Sequence, residues 1–452
     1  MLTAGAARRL LHRLGASGAL GGAPDDVGAA GPPVPPQPGW TGDLAKLVAL
    51  GALFALILTA RNPQVLLHPE FWAEDGWVWF PDGYEYGLAS LARPVAGYLQ
   101  TAPRLVGLLA QAFPLAWAPA IFALAALVIQ VLPPLFLASS RMAAAWPDTR
   151  GRLLFALVWL VLPNTREIYV NLTNAQWHIA ALGFLVLLSR APATAAGRGF
   201  DTAALAVCGL SGPFCIVLAP AAAWLAVVQR TRTTLWRAGL LCAAAAVQAG
   251  VVVATVGERG ATDLGGGPRM LARIVAQQVM AGALVGEHAM PDMVDLPLWQ
   301  TNVLPLGIAA VGLVLAGLAV WHGRQPLRLL VLVAALLFAA ALARPVVALT
   351  GAQWPLLQVP GVGQRYYYAP MLALMAALFT LAGGRSLGRR AAGCIPLLLL
   401  AVGIPGDFAL APRVPTGFAA QAKAFGKAAP GTVCLYPFNP FFERFPMRLV
   451  KR

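Results

Sequence analysis

The sequence predicts an all-α polytopic membrane protein with about nine full spans, a broken pair of half-spans and a large first outer loop that carries a surface-lying helix. Three observations predict it. Hydrophobic residues make up 59% of the 452 residues and charged ones only 11%, against roughly 25% charged in an average soluble domain, and the mean hydropathy is +0.69. Apolar stretches approaching the ~20 residues that a span requires recur from Leu44 to Pro405. The arginines fall in the short links between these stretches and alternate with links that hold most of the acids.

Residues 1–43 carry Arg8, Arg9 and Arg13 and then a Gly/Ala/Pro tract ending in GPPVPPQPG. Such a tract cannot bury enough surface to offset its ordering entropy, so a disordered cytoplasmic amino terminus is expected. The first apolar run, LAKLVALGALFALILTA at 44–60, lacks a suitably placed small-residue cleavage site and reads as a retained helix. Further spans are expected near 115–138, 153–163, 176–189, 238–256, 303–321, 329–348, 367–383 and 391–405.

Because Lys and Arg collect on the cytoplasmic side of short loops, Arg141, Arg150 and Arg152 mark an inner loop. So do Arg190 with Arg198, Arg230 with Arg232 and Arg237, Arg324 with Arg328, and Arg385 with Arg389 and Arg390. The outer loops hold Glu70, Glu74, Asp75, Asp82 and Glu85 in the first (61–114), then Glu258, Asp263, Glu287, Asp292 and Asp295. The transmembrane domain thus covers 44–405, and the tail 406–452 falls outside although its basic residues outnumber its acids.

Two segments break the simple alternation. Residues 95–112, VAGYLQTAPRLVGLLAQA, are long enough to cross, but crossing would put the arginines after Ser140 outside. This helix is therefore laid along the outer surface, as Gln100, Arg104 and Gln111 permit. Residues 202–228 start and finish on the inner side, with Ser211-Gly212-Pro213 in the middle. They read as two half-spans meeting near the outer face, since proline and glycine break a helix.

Charge and cysteine exclude some functions. The formal charge of +15 is spread over loops and forms no stripe, which argues against nucleic acid. The five cysteines have no paired spacing, so neither a disulfide framework nor a zinc site is indicated. The spans hold almost no carboxylate or histidine, contrary to an ion-coupled transporter.

Polar chemistry gathers instead in the outer loops. In HPEFWAEDGWVWFPDGYEYG, the adjacent acids Glu74 and Asp75 are flanked by Trp72 and Trp77. Carboxylates serve as general bases, paired acids can also hold a divalent cation, and the aromatics suit sugar faces or the membrane interface. In LPNTREIYVNLTNAQWHIA, Asn164, Arg166, Glu167, Asn171, Asn174, Gln176 and His178 crowd the head of a span. There Asn174 could cap the helix, Arg166 could pair with Glu167, and Asn171-Leu172-Thr173 matches an N-glycosylation acceptor. In VGQRYYYAP, Arg365 beside Tyr366 is the basic residue of its loop, suited to gripping phosphate with fixed donors. Arg344, inside the preceding apolar run, lies deeper, and Arg166, Arg93 and Arg104 are further phosphate candidates.

This layout resembles the class C membrane glycosyltransferases. The resemblance rests on acids directly after the first span (Glu74, Asp75), on GLSGPFCIVLAP as a broken helix around Gly-Pro, and on QRYYYAP ahead of a late span. The family's stretch often has a lysine where Ser211 stands, which removes a phosphate ligand there. The resemblance implies a polyprenyl-phosphate-linked sugar as donor, a glycan, lipid or protein as acceptor, and an active site at the outer face of a bacterial inner membrane. In it Asp75 or Glu74 is the base, with Glu167 beside them. Arg365, Tyr366, Arg166, Arg104, Asn174, Gln176, His178, Trp72 and Trp77 bind substrate. A lipid-linked oligosaccharide flippase and a noncatalytic assembly subunit are the competing classes.

Overall fold

The computed structural model describes residues 40–258, 263–348, 350–440 and 446–452. The expected disorder of the amino terminus therefore lies, up to residue 39, outside the described residues. The long helices are α1 (Trp40–Arg61), α2 (Thr101–Ala110), α3 (Ala118–Ala138), α4 (Thr149–Leu160), α5 (Ala175–Leu188), α6 (Ala195–Leu210), α7 (Phe214–Gln229) and α8 (Arg232–Ala254). They continue with α9 (Val303–His322), α10 (Gln325–Ala343), α11 (Gln364–Ala382), α12 (Leu387–Leu398), α13 (Leu400–Phe408) and α14 (Phe418–Lys427). The described residues are 72% helical.

Among the described residues, six helices are long and apolar enough to cross a membrane: α1, α3, α8, α9, α10 and the joined pair α12 and α13. Their apolar faces stay exposed at residues such as Leu56, Val128, Val253 and Val314, where lipid would cover them. The expected spans at 153–163, 176–189 and 367–383 are present as α4, α5 and α11 but fall outside that set. Helix α11 is the axis of the bundle, buried from Tyr366 to Leu381 on most of its positions and packed on α4, α5, α9, α10 and α12.

The helix expected over 95–112 is shorter than that segment and different in character. Ten residues of α2 extend about 15 Å, too short to cross. Arg104, expected to face water, is fully buried and ion-paired to Asp82 at 2.8 Å. The break at 211–213 is also present, but α6 and α7 each have 16 residues, about 24 Å, well beyond half of the ~30 Å hydrocarbon thickness. Arg141 and Arg237 grip Asp201 near the start of α6, and the break meets the first outer loop, where Gly212 N donates to Leu99 O and Ala102 N to Ser211 Oγ. The pair is a hairpin whose turn faces the acidic loops.

Two further departures bear on the site. The segment 263–295, expected as an outer loop, contains a helical run, Pro268–Ile274, then a π-helix Val275–Ala281, then Gly282–Val285. It packs among α9 and α11 with Gln277 and Gln278 buried. The tail folds as α14 and a two-stranded antiparallel sheet, β1 (Val433–Tyr436) with β2 (Met447–Val450), a small exception to the all-α expectation.

Candidate active site

Asp75 opens a π-helical turn, Asp75–Trp79, that leads into the helix Phe80–Tyr86. Single π-turns recur at functional sites because they re-aim a side chain. The Asp75 carboxylate is 2% exposed and points at the segment before α5. It accepts from Leu172 N at 3.2 Å, Thr173 N at 2.8 Å and Thr173 Oγ1 at 3.0 Å. Burial pushes its pKa from 3.8 up to about 7, against the opposing pull of Arg413 and of those hydrogen bonds.

Backbone strain flanks this contact on both sides. Ala73 (φ 47) and Val170 (φ 39) lie in the left-handed region, which is costly for a β-branched residue. The tail helps hold the conformation: Ala73 N donates to Asn439 O, and Arg413 donates to Glu70 O and Val170 O while stacking over Trp72. The tail therefore packs against the loop that carries Asp75.

The turn that binds Asp75 also binds Glu167. Asn171 Nδ2 and Asn174 Nδ2 both donate to Glu167 O, at 2.8 and 3.0 Å. The Glu167 carboxylate accepts from the Arg365 guanidinium and from Arg365 N. Gln364 ties in the next element, accepting from Glu167 N and donating to Asn164 Oδ1 and Glu287 Oε2, each at 2.7 Å. Glu287 in turn pairs with Arg166 at 2.8 Å. Segments distant in sequence thus form one polar network at the acidic-loop end of the bundle.

A cavity of about 300 Å³ opens beside it, lined by Arg61, Thr165, Arg166, Glu287, His288 and Asp407. Asp407, 9% exposed at its side chain, accepts from Asn164 N, Glu287 N, His288 N and His288 Nδ1. A carboxylate on Nδ1 fixes the ring and leaves Nε2 for the cavity. Asp75, Glu167 and Arg365 are not among its lining residues.

The expected site residues divide accordingly. Asp75, Glu167, Arg365, Arg166 and Asn174 join the network. Glu74 precedes the π-turn and is half-buried. Arg166 and Glu167 do not pair with each other, because each has a partner from another segment. Asn174 stands at the helix start but does not cap it, its side chain being spent on Glu167 O. Asn171 is buried, so the glycosylation triplet is a clamp for Asp75 and not an exposed acceptor. Tyr366 is buried, its hydroxyl accepting from Val346 N and Arg365 Nη2.

Three expected substrate residues are placed elsewhere. Arg104 belongs to Asp82, Gln176 Oε1 accepts from Gln100 Nε2 beneath the helix break, and His178 has both ring nitrogens engaged, with Tyr368 OH and Ile168 O. Trp72 lies under Arg413 and Trp77 is 48% exposed. Arg344 follows the end of α10 and is exposed, not deep in a span. Arg61, Gln364, His288, Asp407 and Arg413 were not singled out, since each meets the site through contacts remote in sequence. Asp407, a lone acid at the end of an apolar run, was the readable signal.

Among the described residues no three His, Cys, Asp or Glu side chains gather as metal ligands. A divalent cation at Glu74 and Asp75 would have to take most of its oxygens from substrate and water. No family model, curated protein or solved structure matches the chain. Its helices define a multi-pass membrane protein with a polar network at one end.

Proposed function

We propose that the protein is a membrane glycosyltransferase that moves a sugar from a polyprenyl-phosphate donor to a glycan, lipid or protein hydroxyl at the outer face of a bacterial inner membrane. The observation that carries this reading is the Asp75 carboxyl, held at about 7 by burial on the same turn that carries Glu167 and its partner Arg365. A general base works best with a pKa near the operating pH. Asp75 takes the proton of the acceptor hydroxyl, whose oxygen bonds to the anomeric carbon as the bond from that carbon to the phosphate oxygen breaks. Polyprenyl phosphate leaves with the electron pair, steadied by Arg365 and Arg166.

His288 favours a second assignment of the base within the same reaction. It lines the polar cavity with Arg61 and Arg166 and is oriented by Asp407, the arrangement of a positioned proton acceptor. The flippase reading draws less support. The helix break that would form its path is filled by Ser211 and Gln248, which hydrogen-bond the surrounding backbone, and by Gln100, which donates to Gln176 Oε1.

The test is release of polyprenyl phosphate from a panel of synthetic polyprenyl-phosphate sugars by the purified protein in nanodiscs, with cell-envelope glycan, lipid and protein fractions supplied as acceptors. Turnover that falls at least a hundredfold in Asp75→Asn, on the order expected for a lost general base, supports Asp75. Turnover lost in His288→Asn but kept in Asp75→Asn moves the base to His288. If the wild-type protein consumes no donor in the panel, the proposed reaction is wrong.

A further inference from the structure

A second, larger cavity lies at the opposite end of the bundle from the polar network. It measures about 780 Å³ and runs between α4, α5, α10 and α11, within the range of sites that enclose a small ligand. Its walls are apolar, with Phe155, Phe184, Leu330 and Phe379 among them, and its deep end is closed by Trp177 and Tyr368. Along α5 it extends from Trp177 to Leu188, eleven rises of 1.5 Å or about 16 Å. That is half of the ~30 Å hydrocarbon thickness, the depth of one leaflet.

Its mouth has the opposite character. Arg150, His322 and Arg324 line it and are exposed, and among the described residues no protein group is bonded to the side chain of either arginine. The one acid there, Asp148, accepts from Arg150 N as the cap of α4. An apolar slot one leaflet deep, with two uncommitted guanidinium groups at its rim, matches an amphiphile with an anionic head and one apolar chain.

We propose that this cavity is a binding site for an anionic lipid of the leaflet at the arginine-rich end, one acyl chain filling the slot and the phosphate seated on Arg150 and Arg324. The site is separate from the polar network and independent of the reaction proposed there. A zwitterionic lipid of the same chain length offers the same phosphate but offsets it with its own ammonium group, so it binds more weakly.

The probe is phosphatidylglycerol or phosphatidylcholine carrying a mid-chain diazirine, present in trace amounts in nanodiscs with the full-length protein and photolysed before peptide mapping. Phosphatidylglycerol is expected to label peptides with Phe155, Leu330 or Phe379 roughly thirtyfold more than phosphatidylcholine, the combined effect of two basic residues near the surface. Arg150→Gln with Arg324→Gln removes that preference while wall labelling by both lipids persists. Ala181→Trp, which fills the slot, removes wall labelling by both, with an unchanged melting transition as the control for folding. Equal wild-type labelling by the two lipids, or a preference that survives the double substitution, overturns the proposal, as does labelling confined to residues on the outer surface of the bundle.

Discussion

Asp75 is a buried acid whose carboxyl sits far above its ordinary 3.8, at about 7, and this has separate consequences for rate and for stability. As a base it must be ionised, so turnover is expected to rise with pH through about 7 and level off above it. Stability runs the other way. With the folded pKa raised, the native state binds more protons than the unfolded chain between 3.8 and about 7, so stability is fully present below that window and falls as pH rises through it. Asp75→Asn keeps the neutral form at every pH, so its melting temperature should gain on the wild type between about pH 4 and about pH 7. Parallel melting curves across that range would place Asp75 in water. Glu74 and Asp75 were readable as candidates because two adjacent acids between tryptophans are costly to bury. Which of the two is buried was not readable, since the π-turn and its clamp at Leu172 and Thr173 depend on segments about a hundred residues apart.

Helices are legible where apolar composition alone decides them, as in α1, α3, α9 and α10. The run through Pro268–Val285 was missed because Arg269, Arg273, Gln277 and Gln278 interrupt its apolar pattern. The structure satisfies two of them internally: Gln278 Nε2 donates to Leu357 O and Val359 O, and Arg273 to Asn302 Oδ1 and Trp299 O. The helix break between α6 and α7 was legible from Ser211-Gly212-Pro213, but the reason for it lies outside the hairpin. Gly212 has φ +90, and an added Cβ would collide with Gln176 Oε1, the group that holds Gln100 and hence α2. Gly212→Ala is therefore expected to destabilise the fold by about 1–3 kcal/mol. It should also loosen α2, raising amide exchange at 99–104 above that of the rest of the first outer loop. An alanine variant with wild-type melting and exchange would mean that the break carries no strain.

At the scale of the whole molecule, charge and packing disagree about one segment, and packing should prevail. The tail carries a net positive charge, which by counting would draw it to the side of the arginine loops. Its folded contacts place it on the first outer loop: Tyr84 Oη donates to Val450 O, Arg452 Nη2 to Glu85 O, and Thr416 Oγ1 to Glu70, while Phe418 packs edge-on to Phe71. Only charges close to a span weigh on topology, and most of the tail's basic residues follow α14. The tail and the first outer loop must therefore share a side. Cys434, half-buried on β1, is a native probe for this, whereas Cys242 and Cys394 lie on exposed helix faces and need replacing. In intact cells, a membrane-impermeant thiol reagent is expected to reach Cys434 and single cysteines introduced at Trp77 or Asp292. Cysteines at Arg150, Arg232 and Arg389 should stay unlabelled until the membrane is opened. Labelling of Cys434 together with the position at Arg150, and not with that at Trp77, would overturn both the docking of the tail and the orientation of the polar network.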